Sequence, residues 1–394
     1  MCPQPFSGLS TYPNGTYTMC CPALPPRTEM EKQAIAEWVG NRSLPNINST
    51  KPSDWFKDPL LKKIREEFKK DSSPILDVTC AVCKSQERNG IKSYRQFNLE
   101  AVDEVELSDL IENAEDPDYI HLMELNALGG NLCNLACNMC RGESSSKFRT
   151  EEIQLGEIES TRALVKPFIS EETRNDIISI LPKVREIKFT GGEPLMNDEL
   201  FWVFDNTPKV NQKLRIASNF TKNVDKFLDA TQDFEHVHID MSIDGTYDEY
   251  EYIRYPGKWD VVEANVISAK GKTNYLLNTI FTLHALNVSS SIRVFEKAKE
   301  WDTEKSLNVV SNNFYSIRSV PPEIRQIHIS RLTKKANEYP ILNDIIALLN
   351  DWIYDETEMW NMLKHVKRRD ILRKKNLLTV YPEWEMYYNS LEEY

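Results

Sequence analysis

No cysteine follows residue 140 in this chain of 394 residues, although eight lie at or before it. The sequence also lacks a run of eighteen apolar residues, which excludes a membrane-spanning helix. Its first residues, MCPQPFSGLS, lack a basic segment leading into an apolar core. No secretory signal is therefore expected, and a reducing cytoplasm is the expected compartment. In that compartment clustered cysteines serve as metal ligands or catalysts rather than as disulfides. An excess of basic charge is missing too: 48 Lys and Arg against 60 Asp and Glu leave a net charge of −12. That balance speaks against nucleic acid as a partner, because broad binding depends on neutralising phosphates. The one basic run, Lys364 to Lys375 (KHVKRRDILRKK), is read as the solvated face of a helix rather than a nucleic-acid patch. No internal repeat or low-complexity stretch stands out.

What is present is an ordinary globular composition, 41% hydrophobic and 27% charged, in a chain long enough for two or three domains. The cysteines fall in two groups. Cys2, Cys20, Cys21, Cys80 and Cys83 form the first, and Cys133, Cys137 and Cys140 the second. The second group reads C-x3-C-x2-C within GGNLCNLACNMCRGESS and has no fourth thiol beside it. This distribution points to a small metal-bearing module followed by a larger domain.

Roughly the first 100 residues read as loop-rich, with CPALPP (Cys21 to Pro26) as a breaker. Within them Asp58-Pro59 predicts a helix start, with Asp as cap and Pro in the first turn, and Leu60, Leu61, Ile64 and Phe68 then share one face. From residue 119 onward strand and helix patterns alternate. Strands are predicted at Tyr119 to Leu128, Val184 to Thr190, Lys213 to Asn219, His236 to Asp244, Tyr275 to Leu286 and Leu307 to Ile317. Helical patterns lie between them, as a parallel sheet with helical crossovers requires. Six such units predict an open, partial barrel rather than a closed eight-strand one. The remainder reads as helical and aromatic-rich, with Trp352, Tyr354 and Trp360 as packing residues.

In parallel barrels the working residues sit at the C-terminal ends of strands. Here those ends carry the three-cysteine loop, then Gly191-Gly192-Glu193-Pro194, then Ser218-Asn219, then Ser242 and Asp244 with Arg254 ten residues on. Three thiolates can hold three irons of a 4Fe–4S cluster, whose usual complement is four cysteines. The fourth iron is then open, as catalytic metal sites are. A molecule bearing an amine and a carboxylate can chelate such an iron. Glu193 is suited to the amine and Arg254 to the carboxylate, while the glycines let backbone approach closely.

The C-x3-C-x2-C loop, GGEP, ASN and SIDG…R, in this order over roughly residues 119 to 320, resemble the radical S-adenosylmethionine (radical SAM) enzymes. The resemblance implies an α/β fold: a partial, TIM-like (β/α)6 barrel, with a small N-terminal cysteine-rich module and a helical C-terminal extension. It implies that Cys133, Cys137 and Cys140 ligate a 4Fe–4S cluster that binds SAM. By motif, Gly191, Gly192, Glu193 and Pro194 meet the methionine moiety, and Ser218, Asn219, Ser242, Asp244 and Arg254 meet ribose or carboxylate. Met139 stands where the family carries an aromatic residue near the adenine; a polarizable thioether can also pack on a ring. In that family one electron from the cluster cleaves SAM to methionine and a 5′-deoxyadenosyl radical, which takes a hydrogen atom from a substrate. The external one-electron donor is of flavodoxin or ferredoxin type.

Cys2, Gly15 and Cys20 read C-x12-G-x4-C, and Cys80 and Cys83 add C-x2-C. These resemble the auxiliary-cluster modules called SPASM and Twitch. Four cysteines fit one cluster, the Twitch form, here placed before the barrel instead of after it. The resemblance thus implies a second 4Fe–4S cluster on Cys2, Cys20, Cys80 and Cys83, with Cys21 either a free thiol or a substitute for Cys20. A structural zinc site is the alternative for the same thiols. The expected domains are a Twitch-like module over 1–110, the barrel over 111–320 and the extension over 321–394. The expected substrate is a peptide, a protein or a small molecule. The alternatives are a catalytically inactive metal-binding interaction protein and a radical SAM enzyme acting on a nucleotide. No residue is marked as the group that quenches a substrate radical. His284 and Tyr315 are read as packing or hydrogen-bonding residues.

Overall fold

Asp58 opens a helix, as its spacing predicts. In the computed structural model its carboxylate accepts the Leu60 amide at 2.8 Å, Pro59 occupies the first turn, and the helix runs Pro59–Glu67. Leu60 and Leu61 are buried beneath it. On the same helix Arg65 is buried, donating to the carbonyls of Pro5 and Phe56 at 2.7 Å each. The structure describes residues 2–20, 44–70, 73–88, 90, 92–116, 122–124, 128, 130–272, 274–311 and 313–391. Cys21 and most of the first predicted strand lie outside them.

The chain divides into two compact units. The first comprises residues 1–132, 164–216 and 226–237. Its strands are β1 (Gly8–Thr11), β2 (Tyr17–Thr18), β3 (Leu122–Glu124), β4 (Glu186–Phe189) and β5 (Lys213–Ser218), in the order β2-β1-β3-β4-β5. β1 runs parallel to β3, β3 to β4 and β4 to β5, while β2 pairs antiparallel with β1. The alternation of buried residues along β5 puts Leu214, Ile216 and Ser218 on one side, the period of a strand. The N-terminal part is more helical than its turn-rich sequence implies: Pro52–Trp55, Pro74–Thr79, Ala81–Arg88 and Tyr94–Glu100 are helices besides Pro59–Glu67. Each is shorter than three turns, too short to show a clear period, and local caps such as the Ser93–Gln96 capping box start them.

The second unit comprises residues 133–163, 217–225 and 238–394. It holds most of β6 (His236–Ser242), then β7 (Tyr275–Leu283) and β8 (Glu304–Val309), in that order, with β7 and β8 parallel. The sixth strand therefore lies earlier than Leu307 to Ile317. Beyond Val309 the chain turns, because Asn313 and Ser316 side chains accept the amides of Tyr315 (2.8 Å) and Arg318 (3.1 Å) and so compete with strand pairing. The fifth strand ends before Leu286, where Asn287 accepts the His284 amide at 2.8 Å.

The C-terminal part is helical, as expected, with Pro322–Thr333, Leu342–Asp351 and Glu356–Arg373 as its longer elements. Trp352 is buried, while Tyr354 and Trp360 are half-buried. The basic run at the end of Glu356–Arg373 departs from its expected role. Arg369, Asp370 and Arg373 are buried, so that part of the run faces inward, while Lys364, Arg368, Lys374 and Lys375 are exposed. The partners that bring them inside lie far away in sequence: Arg369 bonds Glu157, and Asp370 accepts from Tyr252 and Tyr388. Among the described residues no helix is long and apolar enough to cross a membrane.

Candidate functional site

The three-cysteine loop is short of regular structure and is held by specific bonds instead. The Cys133 amide donates to Ser146 Oγ at 3.1 Å, and Ser145 Oγ donates to the Leu135 carbonyl at 2.6 Å. Ser145 also caps the helix Ser146–Gln154 that follows, so the same residue starts a helix and shapes the loop. Around Cys137 the backbone is tied on both sides. The amides of Ala136 and Asn138 donate to the carbonyls of Tyr255 (2.6 Å) and Ile253 (2.8 Å).

That pairing brings Arg254, the residue between those two carbonyls, to the thiol. Its Nη1 lies 3.8 Å from Cys137 Sγ, and its Nη2 lies 2.6 Å from Asp244 Oδ2. Asp244 is itself fully buried and accepts the Thr282 amide at 2.7 Å. Burial alone would lower the Arg254 pKa, but Asp244 and the Cys137 sulfur hold it above its ordinary value, so it stays cationic. In this structure the guanidinium thus faces a cysteine sulfur and an aspartate. Burial raises the Cys137 thiol above its usual range and pushes Cys140 up to about 12. Both are therefore thiols until a metal displaces their protons.

Asn219 and Ser218 belong to the same group of contacts. Asn219 Nδ2 lies 3.9 Å from Cys133 Sγ and 3.0 Å from Asn134 Oδ1, while Asn134 Nδ2 donates to Thr221 Oγ1 at 2.8 Å. Ser218 Oγ accepts the Phe220 amide at 2.8 Å and so forms the turn that presents Asn219. Ser242 and Met139 are half-buried. His284 is buried, its Nδ1 accepting the Leu286 amide at 3.3 Å, and burial together with the Arg254 charge holds its pKa near about 3, so it is neutral. The Tyr315 hydroxyl lies 2.9 Å from His365 Nδ1. Each of the two side chains thus makes a hydrogen bond, while His284 Nε2 is buried with no hydrogen-bond partner.

In the first unit, GGEP forms a tight turn after β4. Gly191 and Gly192 have φ of +78° and +53°. A Cβ on Gly192 would lie 2.3 Å from the carbonyl oxygen of Leu132, the residue before Cys133, so only glycine fits there. The Glu193 amide donates to that same carbonyl at 2.7 Å. Its carboxylate, almost wholly buried, accepts the Leu195 amide at 3.0 Å, and Pro194 opens the short 3₁₀ turn that supplies this donor.

The other four cysteines also lie in the first unit. Cys2, Cys20, Cys80 and Cys83 line one cavity of about 250 Å³. Burial pushes the Cys2 thiol up to about 12, and the neighbouring Cys80 and Cys83 push it further in the same direction. Cys80 and Cys83 come together because the first caps the helix Pro74–Thr79 and the second sits in the first turn of Ala81–Arg88. Arg95 lines the same cavity. Its Nε bonds Glu87 Oε1 at 2.9 Å, and its charge favours the thiolate form of all three of Cys2, Cys80 and Cys83. Among the described residues no three Cys, His, Asp or Glu side chains gather tightly enough to hold a single metal ion.

Residues 127–260 match the family model of the 4Fe–4S single cluster domain. The match encloses the three-cysteine loop, the GGEP turn, Ser218, Asn219, Ser242, Asp244 and Arg254. The match thus sets the three-cysteine loop within a region similar to single-cluster 4Fe–4S domains. Among solved structures, Streptococcus suis SuiB bound to the precursor peptide SuiA is 12% identical, over 78% of this chain and 65% of that one, with a TM-score of 0.32. SuiB bound to S-adenosylmethionine is 13% identical, over 80% of this chain and 68% of that one, with a TM-score of 0.33. The chain spans about two thirds of the length of these structures. No curated protein sequence matches it.

Several residues that shape the site were not foreseen from sequence. Asn134 and Thr221 link the loop to Asn219, Ser145 and Ser146 anchor its flanks, and Arg95 joins the N-terminal thiols. Asn134 and the two serines lie in or beside the motif and carry hydrogen-bonding side chains, which was the available signal. Arg95 carried none.

Proposed function

We propose that this chain is a radical SAM enzyme that acts on a peptide, a protein or a small molecule, with an auxiliary 4Fe–4S cluster on Cys2, Cys20, Cys80 and Cys83. The observation that carries the reading is the loop of Cys133, Cys137 and Cys140, three thiols within a 4Fe–4S match and no fourth beside them. When bound there, a 4Fe–4S cluster supplies one electron and an open iron, the chemistry that cleaves SAM and generates a hydrogen-abstracting radical. The protein's own residues hold and orient. Arg254 keeps a fixed positive charge beside the Cys137 sulfur, which favours the thiolate. Glu193, held by the Leu195 amide, offers a carboxylate to the SAM amine, and Gly191 and Gly192 leave room for the methionine moiety. Ser218, Asn219, Ser242 and Asp244 are assigned to ribose or carboxylate, and Met139 to the adenine face.

In the same reading β3 to β8 are the strands of a partial barrel, residues 1–110 a Twitch-like module preceding it, and 321–394 a helical extension. The compartment is the cytoplasm, and electrons come from a flavodoxin- or ferredoxin-type donor. Protein purified and reconstituted without oxygen should carry ~8 iron per chain. With dithionite and SAM it should then release 5′-deoxyadenosine. One zinc with little iron, or two clusters without that product, would sink the proposal; the first result would leave a metal-binding interaction protein.

A further inference from the structure

One buried member of the C-terminal basic run has a target. Arg373, the last residue of the helix Glu356–Arg373, donates from its guanidinium to three residues at once. Nε and Nη2 grip the Glu151 carboxylate at 3.0 and 2.7 Å. Nη1 donates to Asn138 Oδ1 at 2.5 Å and Nη2 to the Ala136 carbonyl at 2.6 Å. Ala136 and Asn138 are the two neighbours of Cys137. Their amides are already bound to Tyr255 and Ile253, so Arg373 closes the remaining side of the loop at this cysteine. The guanidinium also lies over the Tyr255 ring, 5.0 Å from its centroid.

The arrangement is rigid. The Arg373 and Glu151 side chains are 4% and 5% exposed, and the planar fork of arginine can satisfy a carboxylate and two further acceptors with fixed geometry. The helix that delivers Arg373 is itself held at this end. Asp370, one turn earlier, accepts the hydroxyls of Tyr252 and Tyr388 at 2.9 and 2.7 Å and the Leu377 amide at 2.8 Å. Groups that orient metal ligands from outside commonly change metal affinity 10–100-fold when removed.

We propose that Arg373 is a positioning residue for the SAM-binding cluster: from the C-terminal helix it sets the backbone at Cys137 so that the three thiols can share one cluster. The proposal rests on the reading of the Cys133–Cys137–Cys140 loop as the cluster site.

The test is made in full-length protein carrying Cys80→Ala, so that iron reports on this loop alone. Arg373→Gln should release its iron to a chelator about 10–100-fold faster than the parent protein. Arg373→Lys, which keeps the charge but not the fork, should fall between them. Arg373→Gln should also lower the urea midpoint of the iron-free protein, because buried Glu151 loses its bidentate partner, but iron release should quicken by more than that loss of stability accounts for. Release rates equal to the parent's would overturn the proposal, as would faster release matched by an equal loss of stability in the iron-free protein. A Cys80→Ala parent that binds no iron would overturn the reading of the loop itself.

Discussion

Cys133→Ala is expected to reduce 5′-deoxyadenosine formation to the level seen without protein. Two thiolates hold a 4Fe–4S cluster poorly, and a cluster that has lost one of three ligands no longer presents a single distinct open iron. The effect should come from the sulfur and not from the fold. The Cys133 amide keeps its bond to Ser146 Oγ and its carbonyl accepts from the same hydroxyl at 3.3 Å, so the loop's start is held by backbone atoms the substitution leaves in place. Cys133 is also only half-buried, and no large cavity follows from its truncation. Iron should fall from ~8 to ~4 per chain as the auxiliary cluster remains. Measured by chromatography of the nucleoside product after a dithionite-driven reaction, retained 5′-deoxyadenosine would refute the ligand assignment.

Cys80→Ala should do the opposite. It should remove the auxiliary cluster and leave the electron paramagnetic resonance signal of the SAM-binding cluster intact, with ~4 iron retained. The thiols concerned line a cavity in the first compact unit, whereas Cys133, Cys137 and Cys140 lie in the second. Cys80 follows a short helix and is not fully buried, so its loss opens the thiol set without emptying a packed core. Loss of both signals would overturn the reading of the Cys133–Cys137–Cys140 loop as a cluster site of its own.

Candidate ligands are easier to nominate from this sequence than the scaffold that holds them. Cysteine, glycine and glutamate in fixed spacing carry their meaning in residue type: few roles other than metal binding require three thiols in eight residues. Strands β4 to β7 were legible as well, because runs of Val, Ile, Phe and Leu bounded by polar turns have few other readings. The sixth strand was misplaced because VVSNNFYSI mixes strand formers with Asn and Ser, and tertiary context lets their side chains capture the amides. The short N-terminal helices lacked the length over which a period shows.

Arg373 illustrates the harder limit. Its bond to Asn138 joins residues 235 positions apart, and nothing in KHVKRRDILRKK distinguishes the arginine that turns inward from the lysines that do not. Charge patterning separates a basic face from an apolar one, but it does not identify the buried acceptor that one member of the run will meet. The pairing of Arg254 with Asp244 and Cys137 is a milder case. The motif nominated the residues, while the fold decided that they face one another.

The account's central claim is that the three-thiol loop leaves one iron open for SAM. Mössbauer spectroscopy of ⁵⁷Fe-loaded Cys80→Ala protein tests it most directly, since only the cluster on Cys133, Cys137 and Cys140 contributes. On addition of SAM, roughly one iron in four should move to a distinct, higher isomer shift while the other three keep theirs. A spectrum in which all four irons stay unchanged at saturating SAM would contradict the claim.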